Sequence, residues 1–502
     1  MPFNSIFSWL IKKRLHQIEL FKKYPLEVQD EILEKLVSSS IDTYFGKKHG
    51  FNKINSYHEF KNKIPLQTYE TIKPHIDQLI KGKQNILWNS NTKWFAKSSG
   101  TTSTKSKFIP VTKESLEECH YRGGKDLLAL YYSNFPSRKL YNGKHLVVGG
   151  STEKNKLSKS SYFGDLSAII VDNLPWWAEI KRTPSKEITL LNDWEIKIEK
   201  MAQTVIKEDV FIIVGVPSWV LVLSYRILEI TGKKNLREVW PNLELYMHGG
   251  INFEPYKEEF NKLIPFEDMH YVESYNASEG FFAIQDNPFS NDLLLMLDYG
   301  IYYEFIPMST FNGIHSKNVI SLSEVKTGIN YALVISTNGG LWRYIIGDTI
   351  QFTSTNPYKI KVTGRTRNYI NSFGEELIVD NAENAMAYAC KKTNSSVREY
   401  SACPIFMDDN KKGGHQWLIE FINKPANLSD FTFILDDKLQ KLNSDYQAKR
   451  YKNLILKMPT IKIAKKDTFN KWLKSKGKLG GQNKIPRLLN NREIMDQLLQ
   501  IQ

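Results

Sequence analysis

VFIIVGVPSW, residues 210–219, decides the fold class. Val210 to Val214 form an unbroken apolar run dominated by β-branched residues, with none of the polar alternation of a half-exposed strand. The stretch 210–216 that it opens suits a strand buried on both faces. Gly215 and Pro217 then punctuate it. Residues 218–231 follow with helical character, and Ser218 stands where an N-cap hydroxyl is useful. A buried strand that turns straight into a helix is the unit of a helix-covered sheet. The same texture recurs in LVVG at 146–149, LLLML at 293–297 and the run at 333–336, all bounded by Gly, Pro, Asn or Asp. Residues 114–133 read as a further helix. The chain is therefore expected to be α/β, with binding groups at strand ends and in the loops beyond them.

Upstream, Leu26, Val28, Ile32, Leu33, Leu36 and Val37 recur at helical spacing behind Pro25, which suits a first helical turn. Residues 1–80 read as mainly helical, with Phe45-Gly46 as a helix-terminating turn. Downstream of Gly364-Arg365-Thr366-Arg367 the texture changes again. Residues 382–391 read as helix, Trp417–Phe421 and Phe431–Leu435 as strands, and the end is rich in lysine. The expected division is an N-terminal body over 1–369 and a smaller α+β lobe over 370–502.

The chain has 502 residues, 41% of them hydrophobic, enough for two or more lobes with their own cores. Its 68 basic and 54 acidic residues leave a net charge of +14, which favours anionic ligands. No zinc finger, aromatic-basic repeat or recognition-helix pattern accompanies that charge, so no specific nucleic-acid partner is expected. Cys119, Cys390 and Cys403 are too few and too widely spaced for a disulfide framework or a metal site. The apolar N-terminal run precedes Lys12, Lys13 and Arg14, the reverse of a secretory signal, and no segment offers a membrane-spanning length. A cytoplasmic monomer without stable membrane association is expected.

Three polar segments lie beside strand-like runs. SSGTTSTKSK, residues 98–107, gathers hydroxyls and one glycine ahead of Lys105 and Lys107. Such a turn can surround phosphate oxygens with N–H and O–H donors, although it is not the G-x-x-x-x-G-K-[ST] loop, and alone it reads better as a polar surface turn. YNASEG occupies 275–280. WRYIIGD occupies 342–348, behind Ser336-Thr337-Asn338-Gly339-Gly340.

Together, in this order and over nearly the whole chain, these segments resemble the adenylate-forming superfamily of acyl-CoA synthetases and luciferases. More closely, they resemble the auxin-responsive Gretchen Hagen family of acyl-acid amido synthetases. The resemblance implies a large N-terminal adenylate-forming body, a mobile C-terminal lobe, and two half-reactions. A carboxylic acid and ATP give an acyl-adenylate and pyrophosphate; an amino acid's amine then displaces AMP.

The resemblance makes Ser98, Ser99, Gly100, Thr101, Thr102 and Lys105 phosphate ligands, although Ser103-Thr104-Lys105 replaces the family's glycine-rich end. Tyr275 is expected to stack on the purine, Ser278 to reach a phosphate, and Glu279 to hold Mg²⁺ through an oxygen. Asp348 offers two oxygens to the ribose hydroxyls. Trp342 stands where the family has tyrosine. Arg365 is a second ribose or phosphate contact, and Gly249-Gly250 within MHGGIN let backbone approach adenine. Val216-Pro217-Ser218-Trp219 is expected near the acyl pocket. Lys484, in GGQNKIPR at 480–487, is the expected catalytic lysine of the C-terminal lobe. Glu304, a carboxylate inside YYEFIP, reads equally as a catalytic or metal-binding group and as half of a buried salt bridge. His248 and His270 lack partners for a catalytic triad and are assigned to structure. The rival functions are a CoA ligase, a hydrolase or transferase sharing one loop, and a nucleotide-binding protein without catalysis.

Overall fold

The computed structural model describes residues 2–98, 107–137, 142–150, 156–158, 161–174, 176–250, 253, 256–366, 369–370, 375, 377–405, 413–443, 446–447, 450, 456–476, 484–489 and 491–501. Its backbone is organised on a mixed sheet of 12 strands. One half is parallel: Arg182–Thr183, Lys144–Val148, Val210–Gly215, Leu245–Gly249 and His270–Ala277 lie side by side in that order. Parallel neighbours need crossovers, and helices Pro217–Thr231 and Lys257–Leu263 lie within two of them. The other half is antiparallel, running through Gly280–Ile284, Leu293–Leu295, Tyr358–Arg365, Tyr344–Thr355, Asn330–Thr337, Ile301–Pro307 and Ile320–Ser321. The two halves join at a hairpin whose two-residue turn is Ser278-Glu279, since Ala277 pairs with Gly280. Gly280 leaves room there for the Ile301 side chain, whose Cδ1 would lie 2.7 Å from an added Cβ.

Of the run expected as a strand, 210–216, the strand takes Val210–Gly215, with 210–213 buried and Val214 and Gly215 partly exposed. Pro217 occupies the first position of the following helix and Val216 is its N-cap. The expectation that Ser218 caps this helix is thereby corrected. Proline's fixed φ favours the first helical position, and Ser218 falls inside the first turn.

The N-terminal layer is helical, as its periodicity predicts: Pro2–Lys23, Pro25–Ser39, Tyr44–His49, Tyr57–Lys63 and Tyr69–Ile80. Leu33, Leu36 and Val37 face the core. Buried Gln29 stitches this layer to the sheet, donating to the carbonyls of Leu297 and Ile301 and accepting from Tyr303 N–H. Phe45-Gly46 does not end a helix; both lie inside Tyr44–His49. Gly46 is there for close packing, since a Cβ would stand 1.9 Å from Ser40 O, and the left-handed stop comes at Gly50, φ 65°. No helix among the described residues is long and apolar enough to cross a membrane.

A smaller sheet pairs Trp94–Ser98 antiparallel with Lys107–Val111, bringing Ser98 opposite Lys107. The C-terminal region has its own three-stranded sheet, Ser396–Ile405, Gly414–Asn423 and Thr460–Ile463. It is covered by helices Val379–Thr393, Leu428–Leu442, Thr468–Ser475 and Glu493–Gln500. Phe431–Leu435, expected as a strand, lies within the second of these. Phe431, Leu435 and Leu439 are buried at a spacing of four, and Asn427 caps the helix by accepting from Ser429 and Asp430 N–H. Cap and period outweigh the β-like composition of FTFIL.

Candidate active site

The described site residues converge where the parallel and antiparallel halves meet. Asp348 and Arg365 are cross-strand partners, with Arg365 Nε 3.0 Å from Asp348 Oδ1. The other carboxylate oxygen accepts the Tyr275 hydroxyl at 2.8 Å. Gly347, φ 93°, lets the strand bend beside this carboxylate, and its carbonyl accepts Thr366 N–H at 2.9 Å. Tyr275, expected as a purine-stacking ring, is instead buried against Phe282, with its ring 4.8 Å away. Its hydroxyl orients Asp348.

Glu279 sits in the hairpin turn beside buried Ser278. Burial pushes its carboxyl up to about 7; nearby Lys107 acts against this and Asp348 reinforces it. Lys107 stands 5.8 Å from the centre of the Tyr69 ring, whose hydroxyl accepts Phe108 N–H at 2.9 Å. Ser99, Gly100, Thr101, Thr102 and Lys105 lie outside the described residues, as does the Ser98 side chain. Lys107, considered from the sequence only as a counter-charge, therefore brings a described cation from this segment into the site.

Gly249 and Gly250 close the strand from Leu245. A Cβ at Gly249 would stand 2.5 Å from Ser274 O. Gly250 has φ 80°, and a Cβ there would lie 3.4 Å from Lys484 Nζ. Lys484 thus reaches the body from the C-terminal region. Crowding and the neighbouring Arg365 charge lower its pKa to about 8, against the pull of Asp348. The residue is exposed to water, which moderates both effects.

Among the described residues there is no cluster of three His, Cys, Asp or Glu side chains able to hold a metal alone. Glu279 nevertheless fits Mg²⁺ bound to a nucleotide. That ion keeps several waters and takes one or two carboxylates plus substrate phosphates rather than an all-protein cage.

Glu304 does not belong to this constellation, and its catalytic assignment is corrected. It is 1% exposed, and its two oxygens take Arg343 Nη2 and Nε at 2.9 and 2.8 Å, with the Tyr57 hydroxyl at 3.0 Å. Arg343 also donates to the carbonyls of Lys61 and Ile64. This is a buried structural ion pair. Glu304→Gln is expected to cost about 3–5 kcal/mol, because it strands a buried cation. A lowered urea midpoint with adenylation retained at low temperature would confirm this; lost adenylation at an unchanged midpoint would return Glu304 to the chemistry.

Sequence reasoning missed Tyr69 and Tyr344. Tyr344 is fully buried four residues before Asp348, and its hydroxyl has no hydrogen-bond partner among the described residues. Burial raises its pKa first, and Glu279 is the next cause. Its place within WRYIIGD was the available signal. Trp342 is core, donating through Nε1 to Leu87 O at 3.0 Å. His248 stacks on Phe253 at 4.1 Å, with its pKa lowered to about 3 by burial, and His270 stacks on Phe135 at 3.9 Å.

This constellation at the junction of the two halves, approached by a lysine from a second lobe, is the arrangement expected of an adenylate-forming ligase. The chain matches the GH3 family N-terminal domain over residues 14–269, the GH3 family central domain over 294–365 and the GH3 family C-terminal domain over 380–493. It belongs to the GH3 family of acyl-acid amido synthetases. "Indole-3-acetic acid-amido synthetase GH3.3" of Arabidopsis thaliana is 22% identical, over 97% of this chain and 93% of the relative. "Jasmonoyl--L-amino acid synthetase JAR6" of Nicotiana attenuata is 23% identical, over 98% and 95%. The solved "GH3.15 acyl acid amido synthetase" superposes with a TM-score of 0.78 at 18% identity, covering 97% of this chain and 95% of that one. The protein is a ligase that forms an amide bond through an acyl-adenylate.

Proposed function

We propose that this site joins a small carboxylic acid to an amino acid, using ATP with Mg²⁺, and that the residues around Asp348 divide the work as follows. Asp348, its oxygens aimed by Tyr275 and Arg365, accepts the ribose hydroxyls. Gly249 and Gly250 leave room for adenine. Lys107, Arg365 and Lys484 face the phosphates, together with the donors of the 98–105 segment. Glu279 holds Mg²⁺, which supplies charge neutralisation to the triphosphate.

In the first half-reaction a substrate carboxylate oxygen attacks the α-phosphorus and the bond to pyrophosphate breaks. Lys484 and Arg365 stabilise charge gathering on the α-phosphate oxygens. In the second, the neutral amine attacks the acyl carbonyl, the carbon–oxygen bond to AMP breaks, and the amine proton passes to solvent water. The observation that carries this reading is the convergence of Lys484 on Asp348 and Arg365 beside Gly250.

The deciding experiment is ATP–pyrophosphate exchange with Mg²⁺ and no amine, across a panel of acids. Indole-3-acetate, jasmonate and 4-substituted benzoates, the acids of relatives' names, form its first arm. Acid-dependent exchange is expected. ATP binding without exchange for any acid would overturn the reading. Amino acids and CoA are then compared as acceptors, and preference for CoA would overturn amide formation.

The titrations give a second test. Glu279 must be ionised to hold Mg²⁺, so activity rises with pH through its value of about 7. Lys484 must be protonated, so activity falls above its value of about 8. kcat/KM for ATP is expected to be bell-shaped with a maximum near pH ~7.5, reporting the free enzyme. The falling limb should move to higher pH in kcat, where bound phosphate favours the charged ammonium. A flat profile between these values would remove both assignments.

A further inference from the structure

Away from the Asp348 constellation, a buried lysine holds the end of another parallel strand. Lys197 lies in helix Trp194–Val205, which Asp193 caps by accepting from Ile196 N–H, and it is 0% exposed. Its Nζ donates to the carbonyls of Gly149 and Gly150 at 2.7 and 2.9 Å. These two buried glycines lie just past the end of strand Lys144–Val148. Buried carbonyls beyond a ladder need donors from elsewhere, and here one ammonium serves both. The Ser167 hydroxyl accepts Gly150 N–H at 2.9 Å. Burial lowers the Lys197 pKa to about 8, so the side chain keeps its charge at neutral pH and its hydrogen bonds are charge-assisted.

Glycine has the most backbone freedom to lose, so a turn of two glycines needs an outside hold. A larger residue does not fit at the second position, where a Cβ would stand 2.1 Å from Asp165 Oδ2. The surface of the turn is therefore main chain. It continues a row of strand ends that starts at the site. A Cβ on Gly250 would lie 3.4 Å from Lys484 Nζ and 3.7 Å from Val216 Cγ2. Gly215, one residue before Val216, pairs with Val148, and Gly149 follows. Strand Lys144–Val148 is two places along the sheet from strand Leu245–Gly249. That spacing puts the double-glycine turn about 10 Å from Gly250, the reach of a small organic acid.

We infer that Lys197 is a positioning residue that fixes the Gly149–Gly150 turn as the end wall of the carboxylic-acid pocket. Asp348 and Arg365 occupy the antiparallel side of the site. An acid whose carboxylate meets the α-phosphate beside Lys484 therefore extends its organic part toward the parallel strand ends, where binding groups of such sheets lie. Lys197 touches no reacting atom. It pins the wall from behind, so the wall's place depends on the ammonium and not on a side chain that faces the substrate. The role in acid binding rests on the adenylation reading; the pinning of the turn does not.

Lys197→Met keeps the length of the side chain and removes its donors. In ATP–pyrophosphate exchange with an acid that supports the wild-type reaction, KM for the acid is expected to rise about ten-fold, because ordering a freed backbone residue costs about that much affinity. KM for ATP should stay within about two-fold, the range of substitutions remote from a site. Hydrogen exchange of the full chain, read by mass spectrometry, should quicken in the peptide carrying Gly149 and Gly150 and hold its rate in the peptide carrying Gly249 and Gly250. A faster-exchanging turn with KM for the acid unchanged, or KM for acid and ATP rising together, would overturn the proposal. Lys197→Met also strands two buried carbonyls, so Ser167→Ala, which releases only the Gly150 N–H, is the milder companion. Its KM for the acid is expected to rise about three-fold, and an unchanged value would overturn the wall even if Lys197→Met failed to fold. If the wild type exchanged with no acid, the adenylation reading would fail by itself, and hydrogen exchange at the turn would still judge the pinning.

Discussion

Asp348→Ala is expected to reduce kcat/KM for ATP by about 10²–10⁴-fold, the largest effect of any single substitution at this site. Two ribose hydrogen bonds to a carboxylate are lost, each worth roughly 1.5–3 kcal/mol. The Tyr275 hydroxyl and the Arg365 guanidinium also lose the partner that holds them at 2.8 and 3.0 Å. Asp348→Asn keeps the shape and one acceptor oxygen, and should recover part of the loss. The check is ATP–pyrophosphate exchange alongside direct ATP binding: both fall if Asp348 holds the ribose. Unchanged exchange in Asp348→Ala would end the ribose assignment.

Lys484→Ala has the second largest expected effect, and it divides the two half-reactions. Removing an electrostatic donor from a developing oxyanion costs about 10²–10³-fold. That loss should appear in adenylate formation. Transfer from a preformed acyl-adenylate to an amine, which no longer needs the pyrophosphate to leave, should change less than about three-fold, within the scatter of surface substitutions. Lys484→Arg keeps the charge and should recover part of the loss. An equal loss in both half-reactions would assign Lys484 to general binding instead.

Much of the α/β body was legible because its strands are continuous apolar runs. Val210–Gly215 and Asn330–Thr337 are both almost wholly buried and have no exposed residue to betray a different period. The helix from Pro217 announced itself by proline at its first position, and the helical stripe ending at Val37 predicted its buried face. FTFIL was misread because five residues cannot display a period of four; the cap at Asn427 and the burial of Leu439 lie outside that window.

Site residues divide on the same principle. Asp348 and Glu279 could be singled out from the sequence because each lies in a compact segment whose neighbours restrict its chemistry, and their roles are those proposed above. Glu304 was ambiguous because the residue that neutralises it, Arg343, comes 39 positions later, and nothing local announces the pairing. Lys484 and Gly250 are adjacent only after the C-terminal region docks. No spacing in the chain encodes that contact, and only the resemblance to a family brought Lys484 forward.

Arg343 has a wider consequence. With φ 42°, it departs from the ordinary strand conformation and turns its guanidinium to the carbonyls of Lys61 and Ile64 as well as to Glu304. The next strand residue is Tyr344, and Asp348 follows four positions on. The N-terminal helices are therefore not a detachable cap over an independent nucleotide-binding core. They are keyed into the segment that carries Asp348, so trimming the chain from its N-terminus through Ile64 would loosen the Tyr275–Asp348–Arg365 cluster without removing any residue of it.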